Sequence, residues 1–219
     1  MRAFLGRVWT TYLWALVSLR RRTILTSAMA THEALAPERI LAGTLTEEEL
    51  ALLEELTRAT NDSSGPIVEI GTLFGLTTVQ LAVWKAPGRK IITVDDYSWN
   101  PWGLDRQAHV LVASRVLHAL TQVGEVTQLA VEKKDFYGNY KGERPSLVFL
   151  DAIHTYDETM ADIAWAKRIG AQTVSGHDYS DEFPGVKQAV DESGGLARLV
   201  DSLWVLDQRA GPRPVIAVS

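Results

Sequence analysis

The run Ile67-Val68-Glu69-Ile70-Gly71-Thr72-Leu73-Phe74-Gly75-Leu76-Thr77-Thr78 constrains the fold of this chain more than any other segment. A buried-looking strand opens into a turn that holds two glycines, and an apolar helical pattern, Leu76 to Trp84, resumes directly behind it. Gly71 and Gly75 let the backbone turn tightly and approach a ligand with no Cβ in the way. Some way on, Ile91-Ile92-Thr93-Val94 is a second apolar strand ending in Asp95-Asp96, where a carboxylate can accept from both hydroxyls of a ribose. Strand, glycine turn, helix, strand and acid, in that order, describe a nucleoside site on an α/β sheet.

The spacing narrows the ligand. Dinucleotide-binding turns carry G-x-G-x-x-G so that a pyrophosphate can rest on a helix N-terminus. Here Glu69 stands where the first glycine would be, and an anionic side chain there repels phosphate and suits a neutral or cationic ligand. The pattern E-x-G-x-x-x-G, with an acid after the next strand, resembles motif I and the ribose acid of class I S-adenosylmethionine-dependent methyltransferases. The resemblance implies S-adenosylmethionine as cofactor, held by Glu69, Gly71, Thr72, Gly75, Thr77, Asp95 and Asp96. An NAD-dependent oxidoreductase is the rival enzyme; Glu69 and the absence of a Tyr-x-x-x-Lys dyad count against it.

At 219 residues the chain fits one domain with a sizeable core, and 46% hydrophobic with 22% charged residues is an ordinary globular balance. With no cysteine there is no disulfide frame, thiolate nucleophile or zinc-thiolate site, which fits a reducing, cytoplasmic setting. A net charge of −5 provides no footprint for nucleic acid, so a small-molecule acceptor is expected. The segment Phe4 to Leu19 is apolar and aromatic, flanked by Arg2, Arg7 and Arg20-Arg21-Arg22. It is short for a bilayer span. The arginine triplet lies between it and Ala28-Met29-Ala30, the wrong order for a signal peptide. That leaves an interfacial helix with peripheral membrane contact, or a helix packed on the domain or on a second copy in a homo-oligomer. Residues 1–45 are accordingly read as an N-terminal helical extension and 46–219 as the methyltransferase domain.

Thr46-Glu47-Glu48-Glu49 is a capping box opening a helix to about Ala59. From Pro66 onward strands and helices alternate: a helix within Asp105 to Val123, a strand around Val126 to Lys133, a strand Ser146 to Asp151 and a helix Asp157 to Arg168. A strand Ala171 to Gly176 and a helix around Gly185 to Asp191 follow. Alternation of this kind predicts a Rossmann-like, doubly wound and mostly parallel sheet between helices. Leu203 to Leu206 and Val215 to Val218 read as a closing antiparallel hairpin, which the resemblance makes part of a seven-stranded sheet.

Ligands of such sheets bind beyond the carboxyl ends of the strands. Asp135 and Phe136, after the third strand, are placed to accept from an adenine amino group and to face the ring. Leu147 to Tyr156 and Val174-Ser175-Gly176-His177-Asp178-Tyr179 supply the acceptor side. Together with the first motif they resemble the methyltransferase family that includes macrolide-sugar O-methyltransferases and cephalosporin-hydroxylase-like proteins, over roughly Gly65 to Glu192. That resemblance implies a magnesium held by Asp151 and by an acidic pair ending the next strand, with His154 as base. Asp178 matches the pair; His177 departs from it, and neutral imidazole is a poor partner for magnesium. Two readings stay open: Asp151, His177 and Asp178 bind a divalent ion such as magnesium or manganese, or His154 alone takes the proton. Tyr97, Trp99 and Trp102 are expected to form an aromatic lid over the acceptor pocket, with Tyr179 and Phe183 on its other wall. His32, His109 and His118 read as structural. The expected activity is O-methylation of a small hydroxylated, sugar-like or natural-product acceptor; the contrasting class is a binding protein that keeps the fold without catalysis.

Overall fold

The computed structural model describes residues 19–30 and 45–208. Helix α1 covers residues 19–30, and the remaining elements are α2 (Glu47–Ala59), β1 (Ile67–Ile70), α3 (Leu76–Trp84), β2 (Ile91–Asp95), α4 (Arg106–Gln122), β3 (Val126–Ala130), α5 (Lys133–Asn139), β4 (Leu147–Leu150), α6 (Tyr156–Arg168), β5 (Thr173–Gly176), α7 (Pro184–Glu192), β6 (Leu196–Val200) and β7 (Leu203–Leu206). The strands form one seven-stranded sheet in the order β3-β2-β1-β4-β5-β7-β6, parallel from β3 to β5, with β7 antiparallel to both its neighbours. This is the mostly parallel sheet with a closing hairpin that the sequence predicts.

Side-chain alternation builds two cores. Ile67, Ile91, Leu147 and Phe149 pack with α2, α3 and α4 on one face, while Val68, Ile70, Val148 and Leu150 pack with α5, α6 and α7 on the other. On the second face Trp165 of α6 lies flat on Tyr137, ring centroids 4.3 Å apart. Beneath this stack Lys133 Nζ is 2.7 Å from Asp162 Oδ2, and the Tyr137 hydroxyl donates to Asp162 Oδ1 at 2.8 Å. Removing one partner of a buried ion pair strands the other charge, so Lys133→Met is expected to cost about 3–5 kcal/mol in chemical denaturation. The Lys133→Met/Asp162→Asn pair should recover most of it.

Three local features differ from the sequence reading. The hairpin partner of Leu203–Leu206 is Leu196–Val200; as a largely exposed edge strand it shows no hydrophobic alternation, and so no strand signal. Val215 to Val218 lies outside the described residues. The third strand stops at Ala130, short of Lys133, and Asp135 and Phe136 after it belong to helix α5.

Of the basic-aromatic N-terminal segment, residues 4–18 lie outside the described residues, as does His32; the expectations of membrane contact and of a homo-oligomer rest there. Helix α1 packs on the domain through Ala28, which is buried with Leu45 and Ala82. Arg21 reaches the C-terminal carbonyls of α3, donating to Ala82 O and Lys85 O, and pairs with Glu125 at 3.3 Å. Among the described residues no helix is long and apolar enough to cross a membrane.

Register places the site. Ile70 pairs with Val94 and Leu150, and Leu150 with Gly176. The next residue of each strand therefore falls in one row: Gly71, Asp95, Asp151 and His177. Backbone hydrogen bonds continue into that row, from Gly71 N to Val94 O (2.9 Å), Asp151 N to Ile70 O (2.8 Å) and His177 N to Leu150 O (3.1 Å). The row straddles the β1/β4 boundary, where strand order reverses and ligands of open α/β sheets bind.

Candidate active site

The β1 turn is held by two carboxylates. Glu69 is fully buried, and its Oε2 accepts from the hydroxyls of Thr78 on α3 (2.5 Å) and Thr93 on β2 (2.6 Å). Its Oε1 is buried with no hydrogen-bond partner. Burial pushes the Glu69 carboxyl up to about 8 against the pull of the two hydroxyls, and the nearby charges of Asp151 and Asp95 add to the rise. Asp95 Oδ2 accepts from the backbone N–H of Thr72 (2.9 Å) and Leu73 (2.8 Å), and Oδ1 from that of Tyr97 (2.7 Å). Asp95 thus ties the ends of β1 and β2 together. Asp96, half-buried beside it, accepts from Ser98 N. Thr72 lies under the turn, its hydroxyl 2.6 Å from that of Thr93. Helix α3 begins at Gly75 with no side-chain cap, and Thr77 is half-buried in its first turn.

The glycines serve the protein before any ligand. Gly71 has φ +100°, and a Cβ there would run into the carbonyl oxygen of Asp151 on the adjacent strand end. Gly75 has φ +81°, and a Cβ would meet Leu117 Cγ of α4 at 2.9 Å.

The expected aromatic lid divides in two. Tyr97 is fully buried, with its hydroxyl accepting from Gln128 at 2.7 Å and its ring edge-on to His109; it is floor, not lid. Tyr97 holds a positive φ of 58°. Trp102 stacks on Phe74 at 4.0 Å, and Trp99 is 69% exposed at the mouth. His109 is buried with Nε2 3.0 Å from Leu73 O, and His118 is exposed on α4. Phe136 points into the core against Trp165, 5.5 Å between centroids, because α5 carries it away from the open edge; Asp135 is exposed on that helix. These two are not brought to the row of strand ends.

On the other side of the boundary the structure gathers Asp151, His154, His177 and Asp178. His154 Nε2 lies 2.8 Å from Asp178 Oδ2 and 3.8 Å from Asp151 Oδ1. His177 Nδ1 lies 3.4 Å from Asp178 Oδ1 and 3.9 Å from Asp151 Oδ1. One ligand atom each from Asp151, His177 and Asp178 falls within 4.8 Å of the others, a spacing that fits one cation. Burial works against charge on the imidazoles, but the carboxylates outweigh it and raise both to about 9; in return the imidazoles hold Asp178, against its own burial, well below the usual carboxylate range. Phe183 is edge-on to His154 at 4.5 Å, and the Tyr179 hydroxyl donates to Asp191 at 3.1 Å, beyond the cluster.

Two residues of this cluster escape sequence reasoning. Glu49 of α2, 1% exposed, lies 3.2 Å from His177 Nε2, and Ser202 of the β6–β7 turn donates its hydroxyl to Glu49 Oε1 at 2.8 Å. Glu49 is visible only as the last residue of a capping box, and Ser202 follows a strand without a pattern. The four described non-glycine residues with positive φ, namely Leu73, Tyr97, Asp178 and Asp201, all adjoin this edge. Such backbone strain collects where surrounding structure over-determines a geometry.

No family model and no curated protein matches the chain. Solved structures do. The O-methyltransferase from Bacillus cereus in complex with SAH aligns with a TM-score of 0.59 at 17% identity, over 84% of this chain and 91% of that one. Cofactor-bound Rv0187 from MTB aligns at 0.56 with 22% identity, over 78% and 77%. The O-methyltransferase TomG from Streptomyces achromogenes, in complex with SAM, aligns at 0.53 with 18% identity, over 76% and 75%. At these identities the likeness is one of fold: the chain has the α/β fold of S-adenosylmethionine-dependent O-methyltransferase structures.

Proposed function

We propose that this protein is an S-adenosylmethionine-dependent O-methyltransferase acting on a small hydroxylated acceptor, sugar-like or natural-product in kind, with a divalent cation held by Asp151, His177 and Asp178. The observation that carries this reading is the single row at the sheet edge. It sets a glycine turn and a ribose-type acid on one side of the β1/β4 boundary, and two carboxylates with two imidazoles on the other. The domain so used is 46–219, with 1–45 as its extension. The occupied solved structures that share the fold, with SAH and SAM, lend support.

The residues fit both groups. Glu69 Oε1 is a buried oxygen without a partner; burial keeps its carboxyl protonated near pH 7, so it meets a ligand as a hydrogen-bonding group and not as a charge, and the uncapped amides of α3 suit a carboxylate. Asp95, whose Oδ1 accepts a single backbone N–H, and the adjacent Asp96, whose Oδ1 accepts from Ser98 N, are the acids for the ribose hydroxyls. S-adenosylmethionine, when bound, supplies the methyl group. A divalent cation, when bound, lowers the pKa of an acceptor hydroxyl. His154, with Asp178 beside its Nε2, takes the acceptor proton in its neutral form, and because the carboxylates raise the imidazole to about 9 the rate is expected to climb toward that pH. Trp99 and Trp102 offer apolar surface that orients the acceptor and sheds water.

Calorimetric titration with S-adenosylmethionine, with and without Mn2+ or Mg2+, tests this. Micromolar binding is expected, together with a separate metal heat that Asp178→Asn weakens tenfold or more, over about 1.4 kcal/mol. No cofactor binding under any condition would sink the methyltransferase reading and favour a binding protein that keeps the fold.

A further inference from the structure

His177 replaces an oxygen ligand with a nitrogen, and the structure surrounds that replacement with a dedicated clamp. Glu49 is almost completely buried, and every donor around it converges on its two oxygens. Oε2 accepts from Thr46 N at 2.8 Å; Oε1 accepts from Ser202 N and Ser202 Oγ, both at 2.8 Å; and His177 Nε2 lies 3.2 Å from each oxygen. The pieces come from three distant stretches of chain. Thr46 also donates its hydroxyl to Asp201 Oδ2 at 2.8 Å, and Tyr179 N donates to Ser202 O at 3.0 Å, so the α2 N-terminus, the β5 end and the hairpin turn are locked together.

Counting protons settles the orientation of the imidazole. The Ser202 hydroxyl spends its proton on Glu49, so its oxygen, 2.8 Å from His177 Nε2, is an acceptor there. Both neighbours of Nε2 are then acceptors, and Nε2 must carry the proton. A cation displaces the proton that the carboxylates otherwise hold on Nδ1, and the lone pair so freed faces Asp151 and Asp178.

We propose that Glu49 is a positioning residue for the cation site: it fixes His177 with Nδ1 as a ligand atom and thereby selects a first-row divalent ion such as Mn2+ over Mg2+. The inference rests on the cation reading above. A carboxylate behind a ligating imidazole sets its tautomer and ring orientation and raises its basicity. One nitrogen with two carboxylate oxygens suits manganese or iron(II), whereas magnesium holds to oxygen.

The test is a Mn2+ titration by calorimetry of the full chain, wild type against Glu49→Gln, His177→Asp and the double variant, with S-adenosylmethionine titration and circular dichroism as controls. Wild type is expected to bind Mn2+ at least tenfold more tightly than Mg2+. Glu49→Gln should weaken Mn2+ by about ten- to a hundredfold with cofactor affinity unchanged. In the His177→Asp background the same substitution should cost nothing, because an aspartate offers Glu49 no N–H, and the ion preference should move toward Mg2+. If Glu49→Gln fails to fold, Ser202→Ala, which removes one hydroxyl from the same clamp, carries the comparison. Undiminished Mn2+ binding in the folded variant, or an equal loss with Asp at 177, would overturn the role of Glu49 and leave the cation site standing. Wild type that binds S-adenosylmethionine but neither ion overturns the cation site itself and the inference with it.

Discussion

Gly71→Ala is expected to destabilise the protein by about 2–5 kcal/mol, the sum of a left-handed backbone cost and an overpacked contact. For a domain of this size that is a fall of roughly 5–20 °C in melting temperature. The cause is local and severe: at φ +100° an added Cβ runs into Asp151 O, a backbone atom that cannot rotate away. Relief requires the C-terminal ends of β1 and β4 to part, which moves Asp151 out of the row it shares with His177. Cofactor and Mn2+ affinity should therefore fall together. Gly75→Ala is the matched comparison, since its added Cβ meets the side chain of Leu117, whose rotamer can yield, at a similarly positive φ. Its melting temperature should fall less, and its Mn2+ affinity should hold. A Gly71→Ala protein that melts like wild type would show that the strand ends have more freedom than their hydrogen bonds suggest.

The second large effect concerns pH. The Glu69 carboxyl has a folded pKa of about 8 against an ordinary value of 4.5, so the folded state holds a proton that the unfolded state releases. The stabilisation this gives is complete below pH 4.5 and is lost as pH rises through 8. Glu69→Gln keeps an acceptor for Thr78 and Thr93 and cannot ionise. Relative to that variant, wild type should lose on the order of 4 kcal/mol between about pH 5 and pH 9. Urea denaturation of both proteins across that range measures the difference, and the subtraction cancels the other titrating groups. Parallel curves would mean that Glu69 is ionised throughout and paired by a group other than the two hydroxyls.

Much of this was legible in the chain. The strand–turn–helix run, the acid after β2, and the Asp151, His154, His177, Asp178 set each lie within a few residues of a strand end. Strand ends are readable because buried parallel strands are short apolar runs bounded by polar residues. Parallel pairing in register then delivers those ends to one edge, whatever the loops do.

Tertiary structure decided what local pattern could not carry. Tyr97 and Phe136 look alike in sequence to the exposed Trp99, and only packing determines that the first two are core and the third is open. Asp95 reads as a ribose acid, and only the fold gives it a second task, accepting three backbone N–H groups beyond the ends of two strands. Glu49 meets Ser202 across more than 150 residues of chain, a contact that depends on β7 turning antiparallel against β5. Residue type and spacing determine which groups arrive at the sheet edge; the partners that set their charge, tautomer and exposure come from elsewhere in the chain, and only the folded packing brings them there.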